Sequence, residues 1–333
     1  LRTNGAADRQ ERSHSFGRRP ANMKVLVTGA TGLIGRQVTG RLRQAGFDIR
    51  IASRRPERLQ AAGEVFALPG ADAPDDAFLT LMRGVSHVVH CAALNNDRNA
   101  SDADYQAVNA TLTARLAKAA AARCGGRFIY LSSIRAVAGP GFSGTINEAM
   151  APAPQCAYGR SKREGEIRLI EAYAGRPDAT ALRLPPVYGE SMRGNMASLM
   201  RLADTALPLP AGVLAGVRSL IASDTAAGAV LHLVSRPGPL HPAYVAGNAA
   251  PLAMSEIIAA FRRGFGRPPR LVPMPAMPLR LAARLLGRQP SWQALTATQI
   301  CDPSLLAAEG WMPETATLGR LEELAREKAA QAR

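Results

Sequence analysis

The stretch Val25-Leu26-Val27-Thr28-Gly29-Ala30-Thr31-Gly32-Leu33-Ile34-Gly35 decides how the rest of the chain is read. A short apolar run ends at Thr28, three glycines follow at even spacing, and a helical pattern then continues to about Ala45. A strand that feeds a helix through a glycine turn is the setting in which a loop holds a dinucleotide pyrophosphate. Gly29 permits the tight turn, Gly32 lets backbone N–H groups approach phosphate, and Gly35 allows the helix to pack close on the sheet. The helix N-terminus then faces the phosphate charge.

Working outward, further strands are predicted at residues 49–52, 65–68, 87–91, 128–132 and 180–184. Helices are predicted over about 102–123 and 158–174. Strands separated by helices require right-handed crossovers, so the fold class is α/β, a doubly wound parallel sheet covered on both faces. After Pro185-Pro186 the composition shifts toward Pro, Arg and Gly. Helices are expected there at about 195–206, 224–234 and 254–265, with a late strand at 244–246. The expected division is a Rossmann-type domain at 23–185, completed by parts of 219–247, and a smaller substrate lobe from 186–218 and 248–333. Residues 1–22 are polar and Arg-rich, without hydrophobic periodicity or the apolar core of a secretory signal, and read as a disordered tail.

The chain has 333 residues, of which 47% are apolar and 20% charged, a globular composition that argues against wholesale disorder. Cys91, Cys124, Cys156 and Cys301 are scattered, which excludes a zinc ribbon, disfavours a disulfide framework and suits a reducing cytoplasm. No run of about 18 apolar residues exists, so no spanning helix is expected. The net charge is +15, but the excess is concentrated. Residues 1–22 hold five arginines against Asp8 and Glu11, and residues 261–290 hold seven arginines and no acid. That distribution does not follow a groove-reading element, so no nucleic-acid partner is expected. Residues 278–287 are predicted as a basic amphipathic helix. Leu279, Ala282, Ala283 and Leu286 follow helical spacing, and Arg280 and Arg284 share another face. Leucines packed into the lobe are the plain expectation for it; peripheral attachment to an anionic membrane is the sharper one.

The end of the second predicted strand selects the cofactor. NAD binding favours an acid about 20 residues beyond the glycines. Here the sequence is Ser53-Arg54-Arg55, with no carboxylate, and guanidinium forks suit a ribose 2′-phosphate. NADP is therefore preferred over NAD, and Asp72 with Ala73 is placed at the adenine edge. A third signal is Tyr158-Gly159-Arg160-Ser161-Lys162 at a helix start, where residues four apart share a face. A phenol of pKa about 10 is a poor base at neutral pH, and a nearby ammonium favours the phenolate. Combined with the glycine loop and Ser132-Ser133 at the end of a strand, the Tyr/Lys pair points to acid/base chemistry on a cofactor.

Together these motifs make the chain resemble the extended short-chain dehydrogenase/reductase superfamily, in its nucleotide-sugar epimerase/dehydratase branch. The resemblance runs from about Met23 to Arg326. It rests on the Thr28–Gly35 loop, Val89-His90-Cys91-Ala92-Ala93, Val108-Asn109, Tyr130-Leu131-Ser132-Ser133, Tyr158 to Lys162, Arg183 to Gly189, and Gly310-Trp311-Met312-Pro313. It implies Tyr158 as acid/base, Lys162 as the residue that holds the nicotinamide ribose and tunes Tyr158, and Ser133 on the reacting oxygen, with Ser132 as fallback. Ile134-Arg135-Ala136-Val137-Ala138 departs from the branch's usual small-residue run ending in V-Y-G. Cofactor contacts are implied for Gly29, Thr31, Gly32, Leu33, Ile34, Gly35, Cys91, Ala92, Ala93, Asn109, Pro185 and Val187, with Pro186-Val187 facing the carboxamide. Asn195 and Arg218 stand where the branch grips a nucleoside diphosphate. The implied activity is an NAD(P)-dependent 4-epimerase of a UDP-sugar, in a homodimer. The alternatives are an NADPH-dependent reductase of a UDP-4-keto sugar or another ketone, and a cofactor-binding regulator without catalysis.

Overall fold

Val25, Leu26 and Val27 are wholly removed from solvent, and the strand they form is the axis of the molecule. The computed structural model describes residues 23–59, 64–95, 99–273, 276–287 and 289–331, so the expected tail lies outside the described residues. The chain runs β1 (Lys24–Thr28), α1 (Leu33–Gln44), β2 (Asp48–Ser53), β3 (Glu64–Ala67), α2 (Asp75–Leu81), β4 (His87–His90), α3 (Asp102–Tyr105), α4 (Leu112–Arg123) and β5 (Phe128–Ser133). It continues through β6 (Gly144–Ile146), α5 (Ala157–Ala172), β7 (Ala179–Leu184) and β8 (Val187–Tyr188). Then come α6 (Gly194–Ala203), β9 (Leu209–Pro210), β10 (Val217–Arg218), β11 (Ile221–Ala222), α7 (Ser223–Ser235) and β12 (Ala243–Val245). The last elements are β13 (Leu252–Ala253), α8 (Met254–Gly264), β14 (Leu271–Val272), α9 (Ala276–Leu285), α10 (Gln289–Thr296), β15 (Gln299–Cys301), α11 (Ser304–Ala308) and α12 (Thr317–Gln331).

Seven strands form the central sheet in the order β12-β7-β5-β4-β1-β2-β3, and every pairing is parallel. This is the doubly wound α/β sheet expected from the sequence. Helices α1 and α7 bury Val38, Leu42, Ala226 and Val230 on one face, while α2, α4 and α5 bury Phe78, Leu116 and Leu169 on the other. The strand order reverses between β1 and β4, and a ligand groove opens at such a switch point. A third core, under Met200, Leu209, Ile257, Phe261 and Leu321, belongs to α6, α8 and α12 and the short strands between them.

Two differences from the sequence expectations have local causes. The helix expected over 102–123 is divided, because residues 106–111 form a wide π turn between α3 and α4. The extra residue turns Asn109 inward. Helix α2 was not predicted: seven residues are too few to show a period, although Asp75 and Asp76 occupy its first turn.

Candidate active site

The groove floor is built where β1 and β4 end side by side. Gly29 has φ +68°, and a Cβ there would stand 2.6 Å from the Ala92 nitrogen. Only glycine suits both the conformation and the approach. A Cβ on Gly35 would collide with the Gly29 carbonyl, so α1 starts tight against the turn. Below them Thr28 Oγ1 accepts from the Ala92 N–H at 3.2 Å and meets His90 Nδ1 at 2.6 Å. His90 Nε2 meets Thr113 Oγ1 at 3.1 Å, and Thr113 donates to the Asn109 carbonyl at 2.7 Å. Burial drives His90 down to about 3, so the ring is neutral.

The groove fits a dinucleotide on its own geometry. Gly32 caps α1 without any side-chain hydrogen bond, so the first N–H groups of that helix have no side-chain cap and can meet an anion. Thr31 and Gly32 are exposed at the edge, Leu33 and Ile34 half-buried behind them. Cys91 and Ala92 lie half-buried opposite and Ala93 is exposed. Beyond β2, the Ser53 hydroxyl accepts from the Arg55 N–H at 3.2 Å, and Arg54 and Arg55 are exposed. Asp72 is exposed and Ala73 half-buried past β3. Pro185 is buried and Val187 half-buried after β7. Asn109 is wholly buried. Its amide bonds both polar backbone groups of Leu94, at 2.9 and 3.0 Å, and donates to Ser161 Oγ at 3.0 Å. It braces the wall.

Ser133, Tyr158 and Lys162 converge from β5 and α5. Tyr158 is half-buried beside Ser133, with the Tyr105 ring edge-on at 6.2 Å. Burial pushes the Tyr158 phenol up to about 12; the Ser133 hydroxyl and the Arg135 charge work against that shift. Lys162 is buried, donates to the Leu131 carbonyl at 2.6 Å and lies 4.3 Å over the Tyr130 ring. Desolvation brings its amine down to about 7, opposed by Glu166 and Cys91. Ser132 points elsewhere: its hydroxyl donates to Glu166 at 2.6 Å. Glu166 also takes both arms of Arg183, at 3.0 and 2.8 Å, and Arg163 at 3.0 Å. Ser133 is therefore the serine beside Tyr158, and Ser132 belongs to the support beneath. Sequence reasoning misses Glu166, although Tyr158, Lys162 and Glu166 recur every fourth residue and so share one helical face.

On the far side, Arg135 and Arg218 meet at one neutral amide. Gln299 Oε1 accepts from Arg135 at 2.9 Å and from Arg218 at 3.0 Å, while its Nε2 donates to the carbonyls of Gly139, Pro140 and Phe142. Arg218 also reaches the Gln293 carbonyl at 3.4 Å, and its pKa falls to about 10 through burial and the Arg135 charge. Arg135 senses both Tyr158 and Arg218, which ties the two halves of the site together. Asn195 is exposed in the first turn of α6, behind Gly194 at φ +65°. Arg135 and Gln299 had no readable pattern in the sequence, since each is defined only by its partner.

A model of the NAD dependent epimerase/dehydratase family matches residues 25–247. A UDP-glucose 4-epimerase of Vibrio cholerae is 27% identical over 310 residues, spanning 89% of this chain and 93% of that protein. A 3-diazoavenalumate denitrifying reductase of Streptomyces sp is 29% identical over 309 residues, spanning 87% and 96%. Among solved structures, UDP-N-acetylglucosamine 4-epimerase from Bacillus cereus superposes with a TM-score of 0.73 at 20% identity, over 92% of this chain and 99% of that one, which is a likeness of fold. Among the described residues no helix is long and apolar enough to cross a membrane. The parallel sheet, the glycine loop at its switch point and the family match over two-thirds of the length lead to one conclusion: this chain is an enzyme of the NAD-dependent epimerase/dehydratase family, within the extended short-chain dehydrogenase/reductases.

Proposed function

We propose that the enzyme epimerises a UDP-sugar at C4. The convergence of Tyr158 and Ser133 carries this reading, because it sets a proton donor beside a second hydroxyl on the groove wall. When bound, NAD(P) supplies the oxidation and reduction of the sugar carbon. The exposed N–H groups of α1 hold its pyrophosphate, and Lys162 holds the ribose beside Tyr158. Tyr158 takes and returns the proton of the C4 hydroxyl while Ser133 fixes the oxygen between them. Arg218, with Asn195 at the rim, grips the diphosphate; a guanidinium fork binds two phosphate oxygens together. The four free thiols suit a reducing compartment.

A second reading is reduction of a UDP-4-keto sugar with NADPH. Exposed Arg54 and Arg55 favour it, because β2 ends without a carboxylate and a guanidinium fork suits a 2′-phosphate. Incubation with UDP-hexoses and with UDP-4-keto sugars, following the absorbance of reduced nicotinamide, separates the two. Interconversion of UDP-hexoses without net redox change is the expected result. Stoichiometric consumption of NADPH on a keto sugar would replace epimerase with reductase. Arg54→Ala with Arg55→Ala is expected to weaken NADPH binding about tenfold or more with little effect on NADH, since hydrogen bonds to charged groups contribute about 1.5–3 kcal/mol each. Equal losses for both cofactors would remove the 2′-phosphate assignment.

A further inference from the structure

Four of the six most exposed large apolar side chains among the described residues belong to one short stretch: Met277 (74%), Leu281 (59%), Leu285 (78%) and Leu286 (72%). Met277, Leu281 and Leu285 recur every fourth residue along α9, which makes one continuous stripe on the outer face of the helix. The inner face is made by Ala276, Leu279 and Ala283, which are half-buried. The sequence expectation that the leucines pack into the lobe therefore fails for all but Leu279. A helix only ten residues long presents two apolar faces, and among the described residues just one of them is covered.

The charge along this stretch has one sign. Arg280 and Arg284 flank the stripe along one edge, both exposed, and residues 261–290 contain no acid. That asymmetry decides among possible occupants. A second copy docked stripe to stripe would bring identical arginines together. The first 22 residues are also net positive, with five arginines against two acids. An anionic bilayer satisfies both features at once. Apolar side chains enter the headgroup–acyl boundary, and guanidiniums at the edge meet lipid phosphates.

We propose that α9 is an interfacial helix that seats this enzyme reversibly on bilayers containing anionic lipid. The seat lies beside the candidate site, since the next helix, α10, offers its Gln293 carbonyl to Arg218. The inference stands independently of which reaction the enzyme performs.

The test is sedimentation of the full chain with vesicles of phosphatidylcholine, with and without phosphatidylglycerol, at low and high ionic strength. Wild type is expected to bind the phosphatidylglycerol vesicles at low salt and to lose about tenfold in binding at high salt, where screening shortens the reach of the arginines. Leu281→Glu with Leu285→Glu is expected to lose about tenfold or more at low salt. Arg280→Gln with Arg284→Gln is expected to lose severalfold while leaving the apolar stripe intact. Both double variants change exposed positions, and their circular dichroism and thermal midpoints should match wild type. Absence of binding to anionic vesicles at low salt overturns the proposal. So does undiminished binding by the leucine variant, which would move the contact to another basic surface. Self-association abolished by the leucine variant, without vesicle binding, would assign the stripe to a second copy instead.

Discussion

The central sheet and the lobe that follows Tyr188 are held together by different means. In the sheet, β1, β2, β5 and β7 run five or six residues each, and backbone ladders join buried side chains from end to end. In the lobe, β9, β10, β13 and β14 are two residues each, too short for ladders to define position. Side-chain hubs replace them. Gln299 collects two guanidiniums and three carbonyls, and Arg262, itself buried, donates to the carbonyls of Pro269, Thr205 and Leu207. A ladder fixes many atoms through repetition, whereas a hub fixes them through one residue. Chemistry that needs a sub-ångström fit therefore sits best at the ends of the sheet, where rigid elements hold it.

The largest expected effect tests whether chemistry resides on the sheet side. Tyr158→Phe removes the proton donor, keeps the ring against Tyr105 and leaves the glycine loop untouched. Turnover should fall about 10²–10⁴-fold, with nicotinamide binding, measured by fluorescence titration, close to wild type. Wild-type turnover in this variant would move the acid/base role off α5.

Two matched substitutions then compare a buried support in each region. Glu166→Gln, beneath Lys162, strips Arg183 of its counter-charge where both side chains are under 5% exposed. Breaking such a pair costs about 3–5 kcal/mol, so the denaturant midpoint should drop sharply. Gln299→Leu in the lobe leaves the Gly139, Pro140 and Phe142 carbonyls without the amide they share. Each buried group left unsatisfied costs about 1–3 kcal/mol. Because Arg135 and Arg218 lose their common acceptor too, KM for the substrate should rise by more than kcat falls. If Gln299→Leu instead lowers kcat with KM unchanged, the lobe contributes to the chemical step and the division between the regions is wrong.

How much was legible follows the same boundary. The strands of the sheet are apolar runs between breakers, and their order follows from crossover handedness, so Val25–Gly35 was enough to reach the fold. The Ser133, Tyr158 and Lys162 set was legible because strand ends and helical spacing are local properties. Asn109 was legible as a position but not as an orientation, since a π turn leaves no trace in the spacing. In the lobe, two-residue strands have no period to detect. Nor does sequence reveal that Arg135, from the turn after β5, and Arg218, from β10, meet at Gln299. Which of the two readings of α9 holds is not legible for a related reason: amphipathic spacing identifies a helix but not which of its apolar faces the fold covers.

The smallest effect separates the regions by pH. His87, His90 and His232 all belong to the sheet or to helix α7 packed on it, whereas residues 186–218 and 248–333 contain no histidine. Burial lowers His90 to about 3 and His87 to about 4, against an ordinary value of 6.5. Between pH 6.5 and those values the unfolded chain takes up protons that the folded chain refuses, so stability must fall as pH falls through that window. One proton per molecule corresponds to a slope of about 1.4 kcal/mol per pH unit. His90→Phe should flatten the slope by up to that amount below pH 6.5. The midpoint should also drop at every pH, because the buried Thr28 hydroxyl loses the ring nitrogen it meets at 2.6 Å, so the slope and not the midpoint reports the titration. The check is a series of denaturant midpoints at successive pH values for wild type and variant. If the two curves stay parallel, His90 is not the group that refuses the proton, and the acid sensitivity of the fold must come from the carboxylates that Lys24, Arg50 and Arg115 hold below their usual range at Glu64 and Asp75.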